Sequence, residues 1–311
     1  QIPANRKFVG IDYTIDNKVK PQLRAIVEEA AKSKAPPGSV AQKIGDFYAS
    51  YMDEVGAEAK GLTPIKADLD AIENMNTKAE LATRIAMLAK DNVTTPIGGY
   101  VDIDAKMPTR YLFRFSQTGL SFADRDYYLK DTAEFKKLRD QFRAHVERML
   151  KLAGAKNAAE QAGWVLAFET DVAKAHWPLE KARDDELTYN LWPRAKLDGL
   201  GTGYNWKLLL EPTGLDQQTE FLAGEPDTLA AVSKLIDSAP MPQWKAYLRY
   251  QVLVAYAQFL PKTFDAERFA FYGTVVRGQP KQQERWRRGM DLLSNTMGEP
   301  LGQLYVAKHF P

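Results

Sequence analysis

Residues 134–152 read EFKKLRDQFRAHVERMLKL, and they hold the clearest helical pattern in the chain. Apolar residues recur there every three or four positions, the spacing that places side chains on one face of an α-helix. They are Phe135, Leu138, Phe142, Val146, Met149 and Leu152. Polar and charged residues fill most of the positions between them, so the stretch predicts an amphipathic helix with one face against a core.

The same periodicity extends over most of the sequence. A second strong apolar face runs from Trp244 to Phe259, within a helix predicted over residues 243–260. Thr77 and Glu80 have the spacing of a capping box, so a helix should begin there. Shorter helices are predicted over residues 20–32, 40–52, 64–74, 77–91, 157–177 and 226–237. Loops rich in Pro or Gly at residues 35–38, 199–203 and 239–242 separate these segments.

One stretch departs from the helical pattern. Ile97 to Ile103 and Arg110 to Phe115 are short runs rich in β-branched and aromatic residues, and Asp-Ala-Lys-Met-Pro lies between them. Two such runs joined by a short connection predict a β-hairpin. We therefore predict a mainly α fold, a multi-helix domain with one small β-hairpin near residues 97–115.

The last segment carries an apolar seam with steps of three or four residues, and proline interrupts it. Proline inside a helix costs about 3 kcal/mol. A break near Gly298, with Pro300 in the first turn of a new helix, avoids that cost. The seam needs a partner surface, either within this chain or beyond it. Its residues are Trp286, Met290, Leu293, Met297, Leu301 and Leu304.

Length and composition narrow the class of protein. The 311 residues suffice for one large or two ordinary domains. The net charge is +2 and acidic and basic residues are interspersed, so nothing predicts binding to nucleic acid. The sequence contains no run of about 18 apolar residues, so no transmembrane segment is predicted in it. The absence of cysteine excludes thiolate zinc ligands and cysteine nucleophiles within these residues, but it does not fix the compartment.

The histidines do not form a metal-binding motif. The three of them are His145, His176 and His309, so the H-E-x-x-H arrangement is absent. His176 and Glu180 have a spacing that suits two metal ligands, but Pro178 argues against one continuous helix through them. We expect instead a hydrogen bond between His176 and Glu169, which satisfies both side chains. The sequence therefore predicts no metal ligand in this chain.

Other catalytic motifs are equally weak. Gly119-Leu-Ser121-Phe-Ala123 is one residue short of G-x-S-x-G and lacks a strand-to-helix elbow, so Ser121 is interpreted as a turn residue. The glycines of residues 199–203 do not follow a strand and are interpreted as a flexible connection. The acidic run at residues 183–186 is interpreted as a charged helix boundary. No catalytic residue is predicted.

Several segments, in order, resemble the family of neprilysin, endothelin-converting enzyme and the bacterial PepO peptidases. The best match is PTRYLFRFSQTGLSFADRDYYL, which ends in the Arg125–Leu129 motif after the hairpin. The others are IPANRKFVG, QLRAIVEEAA, KIGDFYASYMDE, FETDVAKAHW, RDDELTYN, WKAYLRYQVL and RWRRGMDLLSNTMGEPLGQLYVAKHF. Together they cover essentially the whole chain, and their order makes the resemblance specific.

The resemblance implies the N-terminal part of a zinc endopeptidase. Residues 1–20 would connect to the catalytic domain, residues 21–280 would form a helical lid domain, and residues 281–311 would return to the catalytic domain. The zinc of the full-length enzyme would be bound by ligands that are not in this chain. Its partners would be the C-terminal catalytic portion of the same polypeptide and peptide substrates, and this fragment alone is predicted to be inactive.

The resemblance also suggests two residues of the substrate cavity. In neprilysin, two arginines of the first segment help to hold the carboxyl end of a substrate, and an ungapped match places Phe8 and Asp16 there. Internal cleavage of peptides is therefore expected, rather than removal of a C-terminal dipeptide. For the Arg125–Leu129 motif we favour a structural role over substrate contact: Arg125 and Asp126 tie a loop, while the tyrosines pack their rings and hydrogen-bond their hydroxyls.

The chain departs from the family pattern at a position that bears on its origin. Gly289 stands where animal members have a cysteine, which indicates a bacterial-type member in the periplasm or secreted. A non-catalytic helical module that binds peptides remains an alternative, as does a purely structural helical protein. The chain is also expected to be one piece of a nicked polypeptide, with the zinc-bearing remainder held by non-covalent contacts, because an unpaired apolar seam would promote aggregation.

Overall fold

The computed structural model describes residues 10–200 and 205–310. It divides into two compact units, Gln1–Gly61 with Gln258–Pro311 (unit 1) and Leu62–Ala257 (unit 2). The described residues contain fifteen α-helices and four strands, so the prediction of a mainly α fold is confirmed.

The helices vary in length from one turn to seven. In chain order they are α1 Ile11–Lys32, α2 Val40–Met52, α3 Glu54–Lys60, α4 Lys66–Asn74, α5 Lys78–Lys90, α6 Asp126–Leu129, α7 Ala133–Leu152, α8 Ala158–Ala175, α9 Leu179–Ala182, α10 Arg194–Asp198, α11 Lys207–Leu210, α12 Pro226–Ser238, α13 Met241–Tyr256, α14 Lys262–Arg268 and α15 Arg285–His309. A π-helix, Phe269–Val276, follows α14, and short 3-10 turns lie at Thr63–Ile65 and Ala257–Phe259.

In unit 1, α1, α2 and α15 share one core. Fully or nearly fully buried side chains from the three helices form it: Val27, Ile44, Tyr48, Met290, Leu293 and Leu301. Trp286, Met297 and Leu304 pack against this cluster and complete the predicted seam. The partner surface of the seam therefore lies within this chain, so the seam gives no reason to infer a nicked polypeptide.

The predicted break in the last helix is confirmed. The backbone leaves the helical region at Met297, where φ is −134° and ψ is 39°, and helix resumes through Pro300. In a continuous helix, Pro300 would leave one backbone carbonyl without its hydrogen bond, and its ring would clash with the preceding turn. The kink relieves both problems. It lets the two halves of α15 present one seam to α1 and α2.

The first helix starts earlier than the sequence pattern predicted. It begins at Ile11 rather than at residue 20 and continues past Pro21. The residues before Pro21 are largely exposed, as Ile11 and Ile15 show, so they lack the apolar face that periodicity detects. Polar contacts such as the ion pairs of Lys20 with Asp16 and Asp291 lie in this part of α1, and hydrophobic spacing does not reveal them.

In unit 2, helices α7, α8 and α13 pack around aromatic side chains. Phe168 of α8 lies with its ring centroid 4.5 Å from that of Trp244 and 4.6 Å from that of Tyr247. Phe142 of α7 contacts Tyr250 of α13 edge to face at 5.7 Å. These five side chains are almost completely buried, so the strong apolar faces of the sequence form the main core of this unit.

The hairpin belongs to a larger sheet. The predicted strands β1 Ile97–Ile103 and β2 Tyr111–Gln117 pair antiparallel, with Ile103 opposite Tyr111. Two further strands, β3 Leu191–Pro193 and β4 Glu220–Ala223, extend the sheet in the order β1-β2-β4-β3. β4 runs parallel to β2 and antiparallel to β3. The predicted hairpin is confirmed, and the structure adds two short strands that the sequence pattern did not predict.

Long-range polar contacts attach the hairpin turn to the added strands. Asp104 accepts hydrogen bonds from the hydroxyl of Tyr189 at 2.8 Å and from the guanidinium of Arg110 at 2.8 Å. Arg110 also contacts Glu220 of β4 at 2.9 Å. The pairings of Asp104 with Tyr189 and of Arg110 with Glu220 join residues 85 and 110 positions apart, so short-range patterns could not reveal them.

The helix cap predicted from Thr77 and Glu80 is confirmed by the structure. Thr77 and Glu80 form the expected capping box at the start of α5.

None of the helices in the described part of the chain is long and apolar enough to cross a lipid bilayer.

Candidate functional site

Of the two residues suggested for a substrate cavity, the structure describes one. Phe8 lies outside the described residues. Asp16 lies on α1, where its carboxylate contacts the ammonium of Lys20 at 2.8 Å. Lys20 is nearly buried and also contacts Asp291 of α15 at 2.6 Å. Two carboxylates therefore share one ammonium group at the junction of α1 and α15.

This ion cluster shows what Asp16 can do chemically. Its side chain is about one third exposed, so one edge of the carboxylate faces solvent. A carboxylate at this position attracts cations or hydrogen-bond donors, whereas an arginine would attract a substrate carboxyl group. Beside it, the guanidinium of Arg287 contacts the amide oxygen of Asn17 at 3.4 Å, which adds a second link between the helices.

A second polar cluster lies inside unit 2 and centres on Glu169 of α8. Its carboxylate is completely buried. It accepts hydrogen bonds from the backbone N–H of Ser121 at 3.0 Å, the hydroxyl of Ser121 at 2.7 Å and the amide of Gln251 at 3.0 Å. The hydroxyl of Tyr128 donates a further hydrogen bond to it. Four donors thus satisfy one buried acid.

The environment of Glu169 shifts its titration. Burial raises the pKa of this carboxyl to about 7, while the hydrogen bonds from Tyr128, Ser121 and Gln251 act in the opposite direction. The hydroxyl of Tyr128 also accepts from the backbone N–H groups of Ser121 and Phe122, both at 3.1 Å. The cluster fastens the loop after β2 to α6, α8 and α13. Ser121 is accordingly a turn residue, as predicted.

The predicted hydrogen bond between Glu169 and His176 is wrong. Helix α8 ends at Ala175, and His176 adopts an extended backbone that turns its ring toward the hairpin. Its Nε2 lies 3.0 Å from the carbonyl oxygen of Thr118. Since a carbonyl only accepts, Nε2 carries the proton. Burial lowers the pKa of His176 to about 4, which keeps the imidazole neutral.

The motif after the hairpin is anchored by contacts within unit 2. Tyr127 stacks on Phe122 with ring centroids 5.3 Å apart, and the hydroxyl of Tyr128 is held in the Glu169 cluster. The predicted packing of the tyrosines is therefore confirmed. Arg125 and Asp126 each tie this segment to another residue. Arg125 donates to the carbonyl of His176, and Asp126 pairs with Lys130 at 2.6 Å.

The described residues do not fit a zinc site. Across residues 10–200 and 205–310, no group of three or more His, Cys, Asp or Glu side chains lies close enough to hold a metal ion. His145 is buried in α7, and the ring of His309 packs against Tyr305 at the end of α15. A tetrahedral zinc site needs three or four converging ligands, and this part of the chain does not supply them.

Sequence reasoning missed the Glu169 cluster as a unit. The signal was an acidic residue between Val165 and Val172, on a face of α8 that is otherwise apolar. A buried acid implies several hydrogen-bond donors, but the pattern does not say which loops provide them. Ser121 and Gln251 come from distant parts of the chain, so only the tertiary structure identifies them.

Comparison with known proteins supplies a context for this geometry. A family model described as "Peptidase family M13", for the N-terminal part of that family, matches residues 1–311. In solved structures, the chain superposes on the zinc metalloprotease Zmp1 of Mycobacterium tuberculosis, in complex with an inhibitor, with a TM-score of 0.95 and 34% identity. That superposition covers 100% of this chain and 48% of the other.

The chain also matches only part of the length of less similar proteins. PepO from Lactobacillus rhamnosis shares the fold, with a TM-score of 0.83 and 17% identity over 100% of this chain and 49% of that one. Endothelin-converting enzyme 1 of Rattus norvegicus is 26% identical over 305 residues, which are 92% of this chain and 39% of that enzyme. The chain thus spans less than half of the length of these relatives.

Proposed function

Because this chain belongs to peptidase family M13, the neprilysin-type zinc endopeptidases, we propose that it is the N-terminal part of an endopeptidase that cleaves peptides in an enclosed cavity. The match of the family's N-terminal model to residues 1–311 carries this proposal. The chain covers 48% of Zmp1 and 39% of endothelin-converting enzyme 1, which supports a catalytic portion elsewhere in the polypeptide.

The role of this chain in that enzyme is to form the cavity wall and restrict access to it. An exposed apolar surface on the hairpin supports such a role: Val101 and Ile103 lie on the same face of β1, Ile103 is opposite Tyr111 of β2, and they are 63%, 51% and 70% exposed, respectively. Apolar residues grouped on a surface mark contact with another polypeptide or a ligand. Phe8 and Asp16 are proposed to be residues of the substrate cavity of the full-length enzyme. Asp16 would contribute a negative charge there.

The division of the chain follows from the same proposal. Residues 1–20 connect to the catalytic domain, residues 21–280 form the lid, and residues 281–311 return to the catalytic domain. Peptide substrates and the C-terminal catalytic portion are the proposed partners. We place the protein outside the cytoplasm, in the bacterial periplasm or secreted, in line with the compartments of the family. Immunodetection of this chain in separated cell fractions tests that placement.

The zinc ion of the full-length enzyme is proposed to be bound by residues outside the described part of the chain. Zinc supplies the hydrolytic chemistry of the family when it is bound. Since residues 10–200 and 205–310 offer no group of ligands for it, the ligands are assigned to the C-terminal portion. The segment 1–311 by itself is therefore predicted to hydrolyse nothing.

A cleavage assay with matched substrates tests the proposed function. The full-length protein should cleave an unstructured peptide of about ten residues and leave the same sequence uncut when it is displayed in a loop of a folded protein. A zinc chelator should abolish the cleavage. The segment 1–311 should cleave neither substrate. Binding of the peptide by the full-length protein without cleavage would favour the peptide-binding module instead.

A further inference from the structure

Unit 1 contains a polar cavity that the proposed function does not use. It has a volume of about 410 Å³ and is lined by the end of α14, the π-helix, the segment after it and the first half of α15. Three arginines line it, Arg268, Arg277 and Arg288, together with one carboxylate, Asp291. Side-chain amides, including those of Gln282 and Gln283, complete much of the remaining wall. The cavity therefore combines positive charge with hydrogen-bonding groups.

Two of the charges that line the cavity have counterions in unit 1. The guanidinium of Arg288 contacts both carboxylate oxygens of buried Asp265, at 3.1 and 2.8 Å. Asp291 contacts Lys20 at 2.6 Å. The Nε of Arg277 donates to a backbone carbonyl, that of Tyr272, at 2.8 Å, which leaves its charge uncompensated.

Arg268 has no counterion among the described residues either. Its guanidinium carbon lies 6.0 Å from the ring centroid of Tyr272, and none of the ion pairs within the described ranges includes Arg268 or Arg277. The positive charge of the cavity is therefore concentrated on these two side chains. Arg277 lies at the exposed rim of the cavity, and Arg268 is half-buried.

Buried polar atoms of this cavity have no hydrogen-bond partner within the described part of the chain. They are the Nε atoms of Arg268 and Arg288 and the amide oxygen of Gln283. A buried donor without a partner destabilises the folded protein, so native proteins usually pair such groups. Guanidinium N–H groups suit the planar, two-oxygen geometry of a carboxylate. The three guanidinium groups that line the cavity therefore favour a ligand with acceptor oxygens, while the amide oxygen of Gln283 is an acceptor and suits a donor on the same ligand.

We propose that this cavity binds a carboxylate group, with Arg268 and Arg288 donating hydrogen bonds to it and Arg277 contributing charge at the rim. Asp265, together with the Asp16–Lys20–Asp291 cluster, offsets two of the three positive charges. The single charge that remains suits a carboxylate better than a doubly charged phosphate. The volume suits one or two amino-acid residues. The carboxylate comes either from a bound peptide or from an acidic side chain elsewhere in the same polypeptide.

Calorimetric titration of the full-length protein tests a peptide as the source. The probes are N-acetyl-Ala-Ala with a free carboxylate and the same dipeptide with a C-terminal amide. The carboxylate should bind at least about tenfold more tightly, because hydrogen bonds to charged groups are stronger than those to neutral groups. Arg268→Gln should remove that preference. Arg277→Gln, at an exposed position, should weaken it without affecting folding, and Lys262→Gln on α14 should leave it unchanged.

Arginine-selective labelling with phenylglyoxal tests an internal source. If an acidic side chain of the polypeptide occupies the cavity, Arg268 and Arg277 should react slowly at low salt and several-fold faster at about 1 M salt, because salt screens ion pairs. Burial alone would give slow labelling of Arg268 at both salt concentrations. The proposal is overturned if the two probes bind equally or not at all and the labelling rates do not change with salt. The cavity would then be a water-filled space.

Discussion

Glu169 illustrates how a single buried acid organises unit 2. Its carboxylate accepts from Ser121, Tyr128 and Gln251, which belong to three different parts of the chain. Burial raises its pKa from 4.5 to about 7. The folded state therefore holds the proton more tightly than the unfolded chain does. The stability linked to this proton is fully present below about pH 4.5 and is lost as the pH rises through about 7.

Glu169→Gln should remove this pH dependence. The pKa difference between 4.5 and about 7 corresponds to about 3 kcal/mol, so wild type should lose about 2–3 kcal/mol relative to the variant between pH 5 and pH 8. Any constant cost of refitting the amide is the same at both pH values and drops out of the comparison. Urea unfolding of both proteins at pH 5 and pH 8 measures the difference.

The matched control for this prediction is Glu160→Gln on the same helix. Glu160 is exposed, so the same chemical change there should leave the pH dependence of wild type intact. If Glu169→Gln retains the wild-type dependence as well, Glu169 does not titrate in this range and the description of its environment is wrong.

At the scale of single residues, the sequence predicted roles better than partners. Ser121 was interpreted correctly as a turn residue and the tyrosines of the Arg125–Leu129 motif as packing residues. The expected bond from His176 to Glu169 failed because α8 ends one residue before the histidine, and the extended backbone there redirects the ring. A helical face predicts which residues are buried, but a change of backbone at its end alters what they contact.

Among the elements, α15 shows how one apolar seam holds unit 1 together. Leu293 is completely buried among side chains of α1 and α2, such as Val27 and Ile44. Gly289, one turn earlier, packs its backbone against tyrosines: an added Cβ would lie 3.0 Å from the ring of Tyr51 and 3.2 Å from that of Tyr48. The close approach of α2 and α15 therefore favours glycine at this position.

Leu293→Ala should destabilise the protein by about 2–5 kcal/mol, because it removes buried methyl groups and leaves a cavity in a close-packed core. The matched control is Val306→Ala on the same helix. Val306 is 53% exposed, so its truncation should change stability by no more than about 0.5 kcal/mol. Urea unfolding of the two variants gives the comparison. Equal effects would mean that the seam does not pack as described.

Periodicity predicted the helices of both cores, because a face of 3.6-residue spacing is a local signal. The kink at Met297 was foreseen from Pro300 alone. Strands β3 and β4 were missed because they contain only three and four residues and find their partners through long-range contacts. The arginine cavity was also missed, because Arg268, Arg277 and Arg288 are scattered in sequence and show no motif.

For the molecule as a whole, the sequence identified the family through the order of several short matches. Each of them is weak alone, but their combined order is specific, and the fold agrees with that of Zmp1 over the full chain. Sequence motifs located no catalytic site, and within residues 10–200 and 205–310 no group of three or more His, Cys, Asp or Glu side chains could hold a metal ion.

The zinc content of the protein is the sharpest test of this assignment. Elemental analysis of the purified full-length protein should find one zinc ion per chain, and the segment 1–311, purified separately after exposure to zinc, should retain none after dialysis. Stoichiometric zinc on the segment 1–311, or a full-length protein that contains none, would contradict the assignment of this chain as the non-catalytic part of a zinc endopeptidase.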